Sequence, residues 1–554
     1  MYTNANPVFN NSVFLDIICG YLNKEELLCM LRTSRLCFNA AASRIWRSLD
    51  SVKPLIMLLA PTLEFSTINR TTSVVNVTLP ALSPGVFTRF NCYHNFVRKL
   101  RFSGTWPNSG GSGSATLRLQ SWSTLSLHAQ HAPLLPNLNR LELSGSFSNE
   151  DEVILWISTF ISPSVDTLDF SSSSEARLTP LGTVAVLGLL TQRAPNLKKL
   201  SHNLRITPSE HSRAEKPATL QLVLFFACSH LQNSQHLVHL NIGGYFVDSV
   251  ILFELSRLPK LVHLSIDQMS SFDENLATTF RGIQLSMESF PSLQNFQLFT
   301  RATDDIVAAW SVVPLVSNLT TVSLKYSSSI GRRVKRLYDD EVLPPILTLI
   351  SASSPHIQVL TLETAIGFSQ THPINLINSP WAHTGSLPLA HLELKYFSVD
   401  ADSLRNVQQI WPCLVTLKIP EQALTLQHIV HLSQLPKLKK LSAARFVGLT
   451  EEVPEMQACG SSPLQTIELG WVCDAHLKTR YIESFARFLL NLCPELQRVE
   501  YKITSEDAME PDLELLNMYL RVLSGLVESR KRILARYGSD AAHSLLDERL
   551  SSFR

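Results

Sequence analysis

Two histidine pairs, His236/His239 and His428/His431, have the i, i+3 spacing that metal ligands can share on one helix face. The first falls where a strand is expected, and side chains three apart on a strand point to opposite faces. The second falls on a stretch with helical spacing, but no Cys or carboxylate lies beside it to complete a four-ligand site. The nine cysteines are scattered, odd in number and never spaced as Cys-x-x-Cys, which fits neither a disulfide framework nor a zinc site. Gly110-Gly111-Ser112-Gly113-Ser114 lacks the Lys-Ser/Thr and the preceding strand of a phosphate loop. Arg332-Arg333-Val334-Lys335-Arg336 is followed by Asp339-Asp340-Glu341, so the charge run neutralises itself as a surface loop or helix face. Gly-x-Ser-x-Gly, His-Glu-x-x-His and Walker-type patterns do not occur. The expectation is a chain that is not an enzyme and takes no cofactor and no metal.

The composition narrows the partners. Of 554 residues, 45% are hydrophobic and 17% charged, which is a folded chain and not a disordered one. A formal net charge of +1 provides no global field for nucleic acid or an anionic membrane surface, so neither is expected as a partner. The longest apolar runs, such as Val223 to Cys228, fall far short of the ~20 residues that cross a bilayer. The first residues lack the basic-then-apolar order of a secretion signal. With reduced cysteines this points to the cytoplasm, the nucleus or both.

One phrase recurs along most of the chain: an apolar residue, two variable residues, an apolar residue, one variable residue and an apolar residue, commonly with Pro two places before. Pro136 to Leu143, Pro259 to Ile266 and Pro355 to Leu362 are clear copies. The first apolar positions are Val97, Leu138, Val165, Leu197, Leu237, Leu261, Leu293, Leu319, Ile357, Leu389, Leu414, Leu438, Leu464 and Leu496. The apolar-variable-apolar end, as in Leu392-Glu393-Leu394, has the two-residue period of a strand. Stretches such as Leu426, Ile429 and Leu432 before Pro436 have helical spacing, and the proline ends the helix because it lacks an N–H. A unit of one strand and one helix cannot hide its leucine face alone and must stack on its neighbours. The expected product is α/β, a curved parallel sheet inside and helices outside. From Val97 to Tyr501 the chain resembles the leucine-rich-repeat family, whose solenoids bind partners on the concave sheet face.

The N-terminal residues differ in kind. Val13, Phe14, Ile17, Ile18, Tyr21 and Leu22 make an apolar helical face. Asn23 precedes Glu26 at capping-box spacing, and a second helix carries Leu27, Leu28 and Leu31. Phe38, Ala41, Ala42, Ile45, Trp46 and Leu49 mark a third. Three short helices cover one another only in part, which leaves apolar surface for a partner. Phe14-Leu15-Asp16-Ile17-Ile18-Cys19-Gly20-Tyr21-Leu22, Lys24-Glu25-Glu26-Leu27-Leu28 and Ile45-Trp46-Arg47-Ser48-Leu49 resemble an F-box. With the repeats the layout is similar to fungal F-box proteins with degenerate leucine-rich repeats. That resemblance implies a substrate receptor of an SCF-type cullin-RING ubiquitin ligase, its F-box binding a Skp-family adaptor and its repeats binding a target protein or peptide. A repeat scaffold with no ligase attached is the rival reading.

The expected organisation is an F-box-like domain at 1–50, a connecting segment at 51–96, a solenoid at 97–505 with a flexible insertion near 103–114, and a C-terminal helical cap and tail at 506–554. Phe14, Leu15, Ile18, Leu22, Leu27, Leu28, Leu31 and Trp46 are the adaptor-contact candidates, Trp46 and Leu49 also tying the F-box to the first repeat. Strand positions beside the leucines are the target-contact candidates: His239, Asn241, His263, Ser265, Asp267, Gln297, Phe299, Lys325, Glu363, His391, Glu393, Lys395, Lys418, Arg498, Glu500 and Lys502. Both charge signs alternate among them, which suits a protein or peptide better than a phosphate backbone.

Overall fold

In the computed structural model the described residues are 11–59, 64–69, 72–77, 86–103, 105–107, 114–119, 132–144, 150–170, 180–202, 229–244, 247–268, 276–326, 343–364, 373–374, 384–399, 404–446, 462–469, 492–501 and a few isolated positions among the others. The chain divides into two units, Met1–Leu293 and Gln294–Arg554.

The first unit opens with three helices, α1 (Ser12–Tyr21), α2 (Lys24–Met30) and α3 (Arg35–Ile45). In each, the side chain of the residue before it accepts from one or two of the orphan N–H groups of the first turn. Asn11 Oδ1 accepts from Val13 N at 2.9 Å. Asn23 Oδ1 accepts from Glu25 and Glu26 N while Glu26 Oε2 accepts from Asn23 N, the reciprocal box that the Asn23/Glu26 spacing predicts. Ser34 Oγ accepts from Cys37 N. The helices close on a small core of Leu15, Cys19, Leu27, Cys37, Ala40 and Ala41, with Leu22, Met30, Leu31 and Ile45 packed at its edge. Two more helices follow, α4 (Lys53–Leu59) and α5 (Val86–Tyr93). Phe38 and Trp46 lie on Tyr93, the Trp46 ring stacked at 4.5 Å between centroids.

After α3 the chain enters a sheet at once. Ser48–Leu49 pairs in parallel with Lys99–Ser103, and Arg140–Ser144, Thr167–Phe170, Lys199–His202, His239–Gly243 and His263–Asp267 follow in chain order, all parallel. The second unit repeats the scheme with Asn295–Thr300, Thr321–Tyr326, Val359–Thr364, His391–Lys395, Thr416–Leu424, Lys440–Phe446, Thr466–Leu469 and Arg498–Tyr501. The register aligns like with like: Leu100, Leu141, Leu168, Leu200, Leu240 and Leu264 are successive Cα partners. All fourteen first apolar positions of the phrase are buried.

The turn into each strand is also the same. One carbonyl accepts from two successive N–H groups of the next copy: Arg98 O takes Asn139 and Arg140 N, Asn139 O takes Asp166 and Thr167 N, and Thr320 O takes Gln358 and Val359 N. Helices such as Glu150–Phe160, Pro180–Arg193 and Ser249–Ser256, and in the second unit Thr303–Ser311, Leu343–Ser353 and Leu426–Ser433, cover the leucine side. Buried tryptophans lock some of these to the layers beneath: Trp156 meets Phe102 at 4.2 Å, and Trp411 Nε1 donates to Thr384 Oγ1 at 3.0 Å.

Of the stretch expected as a flexible insertion near 103–114, Thr105–Pro107 and Ser114 belong to strands, and 104 and 108–113 lie outside the described residues. Glu64–Asn69, Thr72–Val77, Ser114–Leu119 and Thr105–Pro107 make a separate four-stranded sheet in that order. Two short runs of strand-forming residues flank the serines and glycines of 108–114; they pair with each other, and Ser114–Leu119 also pairs with Thr72–Val77 inside the segment expected as a mere connector. Most of the expected C-terminal cap, 506–554, and Lys502 lie outside the described residues.

Candidate partner-binding surfaces

The helical segment presents its apolar residues the other way round from the sequence expectation. Leu15 and Leu27, named as adaptor contacts, are sealed in the core. Ile18, Leu22 and Leu31 are half-buried at its edge, and Trp46 is half-buried against Tyr93. Helix α1 turns Leu15 and Cys19, one turn apart, to α2 and α3, so a line of Val13, Ile17 and Tyr21, with Phe14 beside it, faces out. Tyr21 is 88% exposed, and Leu28 on α2 is also exposed. The single face drawn through Val13, Phe14, Ile17, Ile18, Tyr21 and Leu22 is therefore split between edge and solvent. Of the adaptor candidates Phe14 and Leu28 stand free; Val13, Ile17 and Tyr21 join them, legible in sequence as an i, i+4, i+8 stripe.

The second surface is the sheet face opposite the leucines, where alternation sends the variable strand positions. In the first unit its rows, read across strands, begin Lys99–Arg140–Thr167–Lys199–His239–His263 and Arg101–Glu142–Asp169–Ser201–Asn241–Ser265. The early copies carry a charge cluster. Arg101 Nε donates to Glu142 Oε1 at 2.7 Å, Lys99 lies 3.5 Å from Glu142, and Arg140 reaches both Glu142 and Asp169. Burial opposes ionisation of Glu142, yet the Arg101 hydrogen bond and the charges of Arg101, Lys99 and Arg140 hold its carboxyl below the usual range. Sequence reasoning passed over these residues, although they occupy the same variable positions as the candidates.

Further along, the face carries fewer charges, with Lys199 at one end and Asp267 at the other. The His239 and His263 rings lie 5.3 Å apart on adjacent strands, tilted by 43°. Burial, then the charges of His239 and Lys199, push His263 down to about 4; partial burial and Lys199 lower His239 too. Asn241 Nδ2 points to Ser201 Oγ at 3.5 Å, while Asn241 Oδ1 and Ser265 Oγ have no hydrogen-bond partner among the described residues. Asp267 ends this strand, half-buried.

In the second unit the candidates form a ladder. Lys395 lies 3.4 Å from Glu363 and 3.7 Å from Glu393, Glu393 lies 3.6 Å from Lys418, and Lys325 pairs with Glu363. Lys325 also sits 5.9 Å from the Phe299 ring centre. Lys440 and Glu468 pair at 2.6 Å two strands on. Gln297 is half-buried, and His391 and Arg498 are exposed. Glu500 is a strand residue partnered with Glu468 across the register.

Among the described residues, no group of three or more His, Cys, Asp or Glu could hold a metal ion, and no helix is long and apolar enough to cross a membrane. His428 serves its own helix, where its Nδ1 accepts from Thr425 N at 3.1 Å and its backbone N–H donates to Thr425 Oγ1, closing the cap of Leu426–Ser433.

Parallel strands in chain order, aligned inward leucines and one open polar sheet face define a leucine-rich-repeat solenoid, an interaction fold. No protein-family model matches the chain, and no curated protein does. Solved structures similar to it include an internalin, InlF, from Listeria monocytogenes, with 12% identity, a TM-score of 0.27 and coverage of 79% of this chain and 83% of that one. TLR13 in complex with ssRNA13 shows 13% identity and a TM-score of 0.27, over 79% and 72% of the two chains. The leucine-rich-repeat ectodomain of the Arabidopsis receptor kinase HAESA, bound to an N-terminally extended IDA peptide hormone, shows 12% identity and a TM-score of 0.25 over 74% and 58%. What defines the class is the strand register and the buried leucines.

Proposed function

We propose that this chain is the substrate-recognition subunit of an SCF-type cullin-RING ubiquitin ligase, its helical segment holding a Skp-family adaptor and its repeats holding a target protein. The observation that carries the reading is the exposed line of Val13, Phe14, Ile17 and Tyr21 on α1, with Leu28 exposed on α2, in a helical segment whose core is already closed by other residues. Large apolar side chains clustered in the open mark a protein-binding site. The F-box resemblance supplies the adaptor, and the open sheet face supplies the place for a target. No chemistry of its own is needed: holding a target beside a charged conjugating enzyme raises the effective concentration of its lysines.

The test is co-purification of the full chain with a recombinant Skp-family adaptor. The wild-type chain binds, and Phe14→Asp with Ile17→Asp does not, with helix content unchanged by circular dichroism because both residues lie outside the core. Failure of the intact chain to bind any adaptor leaves the repeat scaffold without a ligase as the reading.

A further inference from the structure

We propose that the open sheet face formed by Lys199–His202, His239–Gly243 and His263–Asp267 is the target-reading subsite, and that it binds an uncharged stretch of an extended peptide, one amide N–H donating to Asn241 Oδ1 and an amide carbonyl on the same side accepting from Ser265 Oγ. This deepens the function proposed above and rests on its target-binding half.

Two unmet hydrogen bonds define the subsite. Ser265 is only 2% exposed, and alternation with inward Leu264 and Ile266 places it on the open face. Among the described residues its Oγ has no hydrogen-bond partner, nor does Asn241 Oδ1 in the neighbouring strand. Burying a hydroxyl or an amide oxygen without a partner is costly, and the cost is recovered when a ligand supplies the missing bond. Because Asn241 turns its Nδ2 towards Ser201, what it offers is an acceptor; Ser265 offers a hydroxyl. Asn241 and Ser265 are Cα partners, so the two groups stand about one strand spacing apart, ~4.8 Å, a span matched by the N–H and C=O that one extended residue turns to the same side, or by the single polar edge of an Asn or Gln side chain.

Charge decides between amide and anion. The early copies and the second unit tie their lysines and arginines to Glu142, Asp169, Glu363 and Glu393, while this stretch presents the ring wall of His239 and His263. With His263 held at about 4, the wall contributes no full cation at neutral pH. Lys199 at one end is balanced by Asp267 at the other. A phosphate or carboxylate would find too little positive charge, and a lysine or arginine would find one carboxylate beside a lysine. A neutral peptide segment laid across the strands fits both the donor–acceptor pattern and the charge.

The experiment pans a random-sequence peptide library, displayed on phage, against the full chain, with a phosphoserine peptide array as a second arm. The expected result is enrichment of peptides without net charge. Ser265→Ala, which removes one oxygen and is checked by a melting temperature no lower than that of the wild type, weakens an enriched peptide by about fivefold, the worth of one hydrogen bond. Asn241→Asp shifts the enriched set towards Lys and Arg. If the amide is a side chain, Asn or Gln recurs and its replacement by Ala abolishes binding; if it is main chain, N-methylation of one peptide bond does so instead. Enrichment of acidic or phosphorylated peptides overturns the proposal, as does no enrichment, or equal binding to wild type and both variants. Adaptor binding is read on the same preparation: its loss with peptide selection intact removes the ligase role alone, and the reverse removes this subsite alone.

Discussion

Replacing Leu15 by Ala and, separately, Phe14 by Ala measures which side of α1 faces inward. Leu15 has no exposed surface and belongs to a core of six buried residues, among them three of the smallest side chains in the chain's apolar set, Cys37, Ala40 and Ala41. Removing three carbons costs a little over 2 kcal/mol at roughly 0.8 kcal/mol per buried carbon group. So small a core collapses poorly around the void, and the total falls at about 2–5 kcal/mol. Phe14 is half exposed on the opposite side, and its truncation costs within ~0.5 kcal/mol or so. The assay is amide hydrogen exchange by mass spectrometry on the full chain. Leu15→Ala speeds exchange across α1, α2 and α3 by about thirtyfold or more while the strand Arg140–Ser144 keeps its protection. Phe14→Ala leaves all of these as they were. Equal acceleration by both variants, or none by Leu15→Ala, refutes the arrangement and with it the exposed apolar line.

Lowering the pH should erode stability through His263. Its folded-state value is depressed, so the unfolded chain takes up a proton first, and stability falls progressively from about pH 6.5 down to about 4, by up to ~3 kcal/mol. His263→Gln flattens that slope in urea titrations run at several pH values; an unchanged slope refutes the assignment. Thr384→Val strands the buried Trp411 indole N–H and costs about 1–3 kcal/mol, and Trp411→Phe in the same chain recovers part of it by a double-mutant cycle. Glu363→Gln removes the carboxylate shared by Lys325 and Lys395; since both lysines are over one third exposed, the loss is below about 1 kcal/mol and fades in high salt.

The repeat was legible because stacking is a one-dimensional problem. Each copy must bury the same three apolar positions against neighbours of the same kind, so Val97, Leu138, Val165 and the rest report the fold one by one. The caps were legible for a similar reason: Asn23 and Glu26 act within one turn. What sequence could not order was which apolar residues of a short helix win the inside. Leu15 and Cys19 beat Val13, Phe14 and Ile17 because the partners across the gap are alanines and cysteines, and only tertiary packing decides that. The small sheet of 64–119 escaped for another reason. Its register joins segments some forty residues apart, and period alone does not encode such pairing. The sheet-face candidates followed from alternation, but Ser265 and Asn241 acquire meaning only from hydrogen bonds they do not make.

The seam between α3 and the first strands has a mechanical consequence. Ser48–Leu49 is hydrogen-bonded to Lys99–Ser103, and Arg47 O accepts from both Arg98 and Lys99 N, so only Trp46 and Arg47 separate the last helical turn from the ladder. There is no hinge to flex at that joint. Whatever grips α1 and α2 is aimed by the ladder as a spanner aims its jaw, and glycines inserted after Trp46 would slacken the aim without loosening either grip.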